Sequence, residues 1–412
     1  MYNRSNRSRS SGSDRRSGNF THRSYGRSRV SFHGRRPFRR DSFKKSKIDV
    51  SKFICKTTRT EVKTEYIPQN KFADFKIESR LKQNIANRGY ANPMPIQDQA
   101  ISHILAGKDM VGIANTGTGK TAAILIPMID KIFRNRSEKV LIVTPTRELA
   151  FQFEDEFRHF SRGLGLWSAA CVGGMNIGRQ IINLRRNPNF VIGTPGRLKD
   201  LIKRRVLDLS RFQNVVVDEV DRMFDLGFLN DIRHLLGFLP QERQSLFFSA
   251  TVSENIRTLI GAFLKDPVTI SVKYGDTAAN VEQDIIRVNG YQEKFQCLCQ
   301  LLTKEEFKKV LIFGKTKMGV EKLSRTLYDS GFKVESIHGN KNQHQRQKVL
   351  SLFKLDRVNI LVATDVAARG LDISNISHVI NFDLPNSYDD YVHRIGRTGR
   401  ANKKGQALTF VE

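Results

Sequence analysis

Acidic side chains are scarce in this chain. Asp and Glu number 41 against 69 Lys and Arg, a formal net charge of +28 at pH 7. That excess excludes an electrostatically neutral surface and points to a polyanionic partner, nucleic acid or an anionic surface. Cysteine is also sparse: Cys55, Cys171, Cys297 and Cys299. These make no disulfide framework, and a zinc site needs more ligands at closer spacing. Cys297 and Cys299 lie in "FQCLCQLL", an apolar stretch of helical character, and read as core packing. The expected setting is reducing and intracellular, with the cytoplasm as location. Long apolar runs are missing too. No stretch approaches the ~18 apolar residues that span a bilayer, and the best run, residues 122–129, is short and contains Pro127. The first residues have no apolar core, so neither a secretory signal nor a membrane partner is expected.

What is present divides into different materials. Residues 1–47 hold Arg and Lys against only Asp14 and Asp41, with Ser, Gly and Asn filling most of the rest. Too little can be buried there, so a disordered basic tail is expected. Its Arg-rich, Ser-rich, acid-poor composition resembles a transit peptide but lacks an amphipathic stripe. Phe20, Tyr25, Phe32, Phe38 and Phe43 are scattered among the arginines. Such side chains stack on unpaired bases while the charge holds phosphates; a merely solubilising tail is the alternative. Residues 48–69 connect this tail to the body.

From about residue 72 short apolar runs alternate with amphipathic stretches: "MVGIA", "KVLIVTP", "NFVIGTP", "NVVVDEV", "SLFFSAT". That is βα alternation, hence a parallel sheet covered by helices. The pattern restarts after about residue 280 with "KVLIFGKT", "KVESIHG", "VNILVATD" and "HVINFD", and the polar stretch "YGDTAANVEQD" lies between. The expected organisation is α/β, two tandem parallel-sheet domains with a cleft between them: residues 99–272, a linker at 273–281, and residues 282–412. The chain ends soon after "GQALTFVE", so no extra C-terminal RNA-binding domain is expected.

Two segments carry chemistry. "VVVDEVDRMF", residues 215–224, runs three valines into Asp218, Glu219 and Asp221. A β-branched run suits a strand buried on both faces, and the carboxyl ends of such strands are where open α/β sheets bind ligands. Acids there hold a cation or are solvated loop residues; the run alone does not decide. "GIANTGTGKT" follows the first strand and opens a helix. Asn115, Thr116, Gly117, Thr118 and Gly119 would wrap backbone N–H groups around phosphates, with Lys120 on the β/γ oxygens and Thr121 on Mg²⁺. Ala114 stands where the strict pattern has its first glycine. In such P-loop enzymes an acid closing a buried strand holds Mg²⁺, which Asp218 fits, while Glu219 orients or deprotonates the attacking water.

With these motifs in order, the chain resembles a DEAD-box ATP-dependent RNA helicase of superfamily 2, with DEVD in place of the eponymous tetrad. The resemblance runs from residue 72 onward and implies two RecA-like domains. The element "FADF…RGYANPMPIQ", within residues 70–98, looks like the family's Q motif. It implies that Phe72 stacks on the purine and that Gln97 reads the adenine edge, hence ATP. "PTRELA" (Pro145, Thr146, Arg147), Gly173 with Gly174, and "TPGR" (Thr194, Arg197) look like RNA-binding motifs of the first domain. Ser249 and Thr251 of "SAT", with Asp221 and His393, are implied to couple hydrolysis to strand separation. In the second domain "LIFGKT", "QHQR" and "ATDVAARGLDI" imply Arg346 and Thr364 on RNA phosphates, with Gly370 and Asp372 at the nucleotide. "HRIGRTGR" looks like the arginine-finger motif, with Arg397 and Arg400 as fingers whose spacing suits one exposed face of a helical turn.

The implied activity is RNA-stimulated ATP hydrolysis coupled to local unwinding or RNA–protein remodelling, by a monomer that grips mainly RNA backbone. Proteins of ribosome assembly or RNA decay are compatible partners. Val220 replaces the family's alanine beside the acids, and overpacking there costs ~1–3 kcal/mol. Gly314 and Lys315 are slightly unusual for their motif. Two other readings stay open: an ATP-gated RNA clamp or annealing chaperone with weak hydrolysis, and a DNA helicase of the same superfamily.

Overall fold

The computed structural model describes residues 66–115, 117–272, 281–368, 373, 375–399 and 405–412. The basic tail, most of the connecting segment and all of the linker but Val281 lie outside them. Among the described residues the first sheet holds β1 (Met110–Ala114), β2 (Val140–Val143), β3 (Ser168–Cys171), β4 (Phe190–Gly193), β5 (Asn214–Asp218), β6 (Gln244–Ser249) and β7 (Val268–Val272). The second holds β8 (Val281–Arg287), β9 (Val310–Phe313), β10 (Val334–Ile337), β11 (Ile360–Ala363), β12 (His378–Asn381) and β13 (Gly405–Val411). Their orders are β3-β4-β2-β5-β6-β1-β7 and β10-β11-β9-β12-β13-β8, with every pairing parallel. The α/β class with two tandem parallel sheets is therefore borne out. Val281, expected in the linker, instead opens β8 and is fully buried.

Helices cover both faces of each sheet, and this explains the unbroken apolar runs. In β5, Val216 packs into one core with Ile142, Ile192 and Leu246. Val215 and Val217 enter the opposite core with Leu141, Val143 and Phe247. The second sheet repeats the alternation, with Leu311, Leu361 and Val379 on one side and Val310, Ile360 and Ile380 on the other. A strand with two buried faces has no polar register to keep, so its sequence is continuously apolar. Because β6 lies between β5 and β1, the loops after these strands emerge side by side at the carboxyl edge of the sheet. Ligands bind at such edges, and the two chemistry-bearing segments meet there.

Candidate active site

β1 ends at Ala114 and the helix Lys120–Arg134 begins six residues later. In the turn between them the Thr118 hydroxyl donates to the Asn115 carbonyl at 2.8 Å; Thr116 lies outside the described residues. Gly119 is left-handed at φ 89°, and a Cβ on it would stand 2.4 Å from Gln97 Nε2, so only glycine fits. No side chain caps this helix, which leaves its first N–H groups for an anion. Lys120 is buried; its Nζ donates to the Ala114 carbonyl at 3.0 Å and lies 3.8 Å from Asp218 Oδ1. It thus ties the ends of β1 and β5 together.

The acids after β5 are not solvated: Asp218 is 2% and Glu219 6% exposed. Burial raises the Asp218 carboxyl to about 6, with Lys120 opposing the shift. Burial would raise Glu219 as well, but the positive charges of Arg222, Lys120 and Arg397 outweigh it and hold this carboxyl below its ordinary value. Arg222 pairs with Glu219 at 2.9 Å. Glu219 also sits at φ 55°, ψ 54°, a left-handed conformation that costs a non-glycine residue ~1–3 kcal/mol and clusters at functional sites. Asp221 turns toward β6. Its Oδ2 accepts from the Ala250 and Thr251 N–H groups at 3.0 and 2.9 Å, and its own N–H donates to Ser249 Oγ at 3.2 Å. Ser249, Thr251 and Asp221 therefore form one hydrogen-bonded unit beside the acids that close β5.

The second domain completes this constellation. Arg397 and His393 line a small space shared with Lys120, Glu219, Asp221 and Arg222. Arg397 was expected on an exposed helical face. The helix ends at Ile395, so Arg397 sits in the following turn, only 4% exposed, with its Nε donating to the His393 carbonyl at 3.3 Å. Arg400, Gly370 and Asp372 lie outside the described residues. Arg394 is structural: it grips Asp365 at 2.6 and 2.8 Å and the Asp383 carbonyl at 2.6 Å.

A cleft of about 540 Å³ opens beside these groups, lined among others by Tyr90, Gly117, Lys120, Thr121, Asp218 and Arg397. The two residues expected at the base are both held by protein contacts. Phe72 is 6% exposed and does not line the cleft. It packs edge-on against Tyr90 at 6.0 Å, and Tyr90 is the aromatic that faces the cavity. Position in the motif singles out Phe72; only three-dimensional packing singles out Tyr90. Gln97 is wholly buried, its amide spanning the Met94 N–H at 2.8 Å and the Gly119 carbonyl at 3.1 Å. Its contact here is with the P-loop, which leaves one N–H and one lone pair for a base.

The remaining expected residues gather elsewhere. Pro145 and Thr146 end the loop after β2, where Thr146 Oγ1 caps the helix Arg147–Phe160. Thr194 precedes the helix Pro195–Lys203, which has no side-chain cap, and Thr364 precedes Asp365–Ala368. The Arg147 guanidinium lies against Gly174, where a Cβ would come within 2.0 Å of it. Arg197 donates to Gln180 at 2.9 Å. From the second domain Arg346 reaches Glu148 Oε1 at 2.9 Å, and Gln343 donates to the same oxygen at 3.2 Å. Burial, then the charge of Arg346, holds Arg147 below its usual value, with Glu148 and Arg197 acting in opposite senses. Glu148 was not singled out by sequence; its position inside "PTRELA" was the available signal.

A model for DEAD/DEAH box helicases matches residues 94–259, and one for the helicase conserved C-terminal domain matches residues 293–402. The ATP-dependent RNA helicase CshA of Listeria monocytogenes is 44% identical over 344 residues, 83% of this chain and 66% of that one. The chain thus spans just under two thirds of that relative's length. CshA of Limosilactobacillus reuteri is 41% identical, over 83% of this chain and 69% of its own. Among solved structures, a DEAD box protein from Methanococcus jannaschii is 39% identical over 83% of this chain and 93% of its own, with a TM-score of 0.51. Saccharomyces cerevisiae Dbp5 bound to RNA and ADP BeF3 is 28% identical over 83% of this chain and 89% of its own, yet superposes better, with a TM-score of 0.74.

Proposed function

The chain belongs to the DEAD-box helicase family, and from that membership we propose that it is an ATP-dependent RNA helicase whose ATP hydrolysis is stimulated by RNA and coupled to opening short duplexes or remodelling RNA–protein complexes. The observation that carries this reading is the meeting of Lys120, Asp218 and Glu219 of the first domain with Arg397 of the second around one cleft. Neither domain alone holds the full set, so turnover requires their approach. The better fit to an RNA-bound relative at lower identity supports an arrangement of the two domains like that of the RNA-bound state.

In this reading Lys120 and the N–H groups opening its helix bind the triphosphate. Glu219 orients the attacking water and accepts its proton, while Arg397, with Arg400, offsets charge on the transferred group. Among the described residues no cluster of three or more His, Cys, Asp or Glu could itself hold a metal ion. Mg²⁺ takes one or two protein oxygens beside substrate phosphates and keeps its waters. The Thr121 hydroxyl and the Asp218 carboxylate, directly or through water, would hold it, and it would neutralise phosphate charge. Phe72 acts by supporting Tyr90, and Gln97 favours adenine through its spare donor and acceptor. Arg147, Arg197 and Arg346, with Pro145, Thr146, Gly174, Thr194 and Thr364, bind RNA backbone with little sequence preference. Asp221, Ser249, Thr251 and His393 couple the two events. The DEVD tetrad is a working variant, and the protein acts as a cytoplasmic monomer with RNA as its partner.

Radiolabelled ATP turnover, measured with RNA, with DNA and without either, tests the reading. RNA should stimulate and DNA should not. Glu219→Gln should lower turnover by ~10²–10⁴ while ATP binding persists and a closed RNA complex accumulates. Wild-type protein that binds RNA in the presence of ATP without turnover would establish an ATP-gated clamp instead.

A further inference from the structure

The residue after Gln97 has a role that the nucleotide cleft does not account for. Asp98 lies in the first turn of the helix Pro95–Leu105 and is 4% exposed. Its Oδ2 accepts from the Tyr66 hydroxyl and from the Gln69 N–H at 2.8 Å. Its Oδ1 accepts from the Asn70 N–H at 3.0 Å and from Asn70 Nδ2 at 2.8 Å. Burial would raise this carboxyl, but the bonds from Tyr66 and Asn70 hold it below its ordinary value. A carboxylate saturated by one short segment is a clamp, since each charge-assisted bond fixes a donor in place.

The clamped segment connects to the cleft by two routes. Two residues after Asn70, Phe72 packs against Tyr90, which lines the cavity. On the helix side Gln97, the neighbour of Asp98, holds the Gly119 carbonyl at 3.1 Å. The same amide fills the space a side chain on Gly119 would need, 2.4 Å from where its Cβ would stand. Asp98 therefore fixes both the aromatic wall and the amide behind the P-loop.

We propose that Asp98 is a positioning residue for nucleotide selection, which pins residues 66–70 to the helix of Gln97 and so preorganises the base-facing side of the cleft. The inference rests on the ATP-binding reading of that cleft and extends it to residues outside the cavity. Preorganisation acts on ground-state binding, so its loss should appear in KM for ATP rather than in kcat.

The test is steady-state hydrolysis by the full chain at saturating RNA, with ATP and with GTP, alongside thermal melting. Asp98→Ala should raise KM for ATP about tenfold, keep kcat within about twofold, leave the RNA concentration for half-maximal stimulation unchanged, and lower the ATP:GTP ratio of kcat/KM. Asp98→Asn, which keeps one acceptor oxygen, should fall between. Tyr66→Phe removes one bond without opening a cavity and should raise KM by about twofold, which keeps the test decisive if Asp98→Ala folds poorly. A wild-type KM in both Asp98→Ala and Tyr66→Phe overturns the inference. So does a loss spread equally over kcat, KM for ATP and RNA half-saturation, since that is general structural damage. Gln97→Ala separates the two levels: if it too leaves the ATP:GTP ratio unchanged, the adenine reading of the cleft fails, whereas a ratio that collapses in Gln97→Ala but not in Asp98→Ala removes the Asp98 inference alone.

Discussion

Two places where the domains touch are built on opposite electrostatic plans. Around the cleft Lys120, Arg222 and Arg397 face Asp218, Glu219 and Asp221, so cations and acids nearly balance. At the second place, the RNA groove of the proposed function, Arg346 pairs with Glu148 and Arg147 feels the charges of Arg346, Glu148 and Arg197, three guanidiniums to one carboxylate. The balanced site is positional: all of these side chains but Asp221 are almost fully buried, and in the proposed function its work is to place a water and a phosphate among charges that already satisfy one another. Like charges close together in low dielectric repel strongly. The groove is therefore short of negative charge, which a polyanion would supply, and RNA occupancy there should weaken steeply with salt in a way the cleft's should not.

The largest effect should come from removing the cation that the second domain brings to the balanced site. Arg397→Ala leaves Glu219 with Arg222 and Lys120 but takes away the charge that the proposed function sets against the transferred phosphate. RNA-stimulated kcat should fall by ~10³ or more, while RNA affinity in the presence of ATP changes little. Stopped-flow or radiolabelled turnover with a parallel RNA-binding titration measures both. Equal losses in turnover and RNA affinity would mean that cleft and groove are one electrostatic unit and that the contrast between them is false.

Glu148→Ala alters the groove in the other direction. It deletes the acid that Arg346 and Gln343 share across the domains. Breaking a buried pair leaves an uncompensated charge, here among two further arginines, so the approach of the domains without RNA should become harder. Phosphates supply the missing anions when RNA is present. The ratio of RNA-stimulated to RNA-independent turnover should rise, by about tenfold, or ~1.4 kcal/mol of differential stabilisation. An unchanged ratio would show that the Glu148 contact is incidental to closure.

The same contrast explains what the sequence made legible. The cleft was readable because its parts are local: a glycine loop between a strand and a helix, and acids closing a valine run. The groove's decisive contact joins residues 195 apart, and no spacing rule reaches that far. The replacement of Phe72 by Tyr90 at the cavity wall, and the buried turn that carries Arg397, were hidden for the same reason: burial is decided by partners elsewhere in the chain. Strands followed a parallel rule. Central ones such as β2 and β5 are buried throughout and stand out as apolar runs. Among the edge strands, β7 and β8 mix buried with exposed positions and β3 buried with half-buried ones, and their sequences "SAAC", "VTISV" and "VEQDIIR" do not.

Val220 gives the smallest expected effect and separates packing from chemistry within the balanced site itself. The sequence suggests overpacking at this position, in which case Val220→Ala should relieve strain and stabilise the fold. The structure argues the reverse. Val220 is 1% exposed and belongs to an apolar cluster with Val217, Met223, Ile232 and Leu235. The strained residue is its neighbour Glu219, whose backbone is left-handed at φ 55°. Removing two buried methyl groups should therefore cost about 1–2 kcal/mol of stability, a drop in melting temperature of a few degrees. Asp218, Glu219 and Asp221 keep their partners, so RNA-stimulated turnover should stay within about tenfold of wild type. Calorimetry and turnover on the same preparation decide the matter. A stabilised variant would restore the overpacking account, and a turnover several hundredfold higher would mean that residue 220 restrains the acids themselves, leaving the wild-type protein an RNA clamp with almost no hydrolysis.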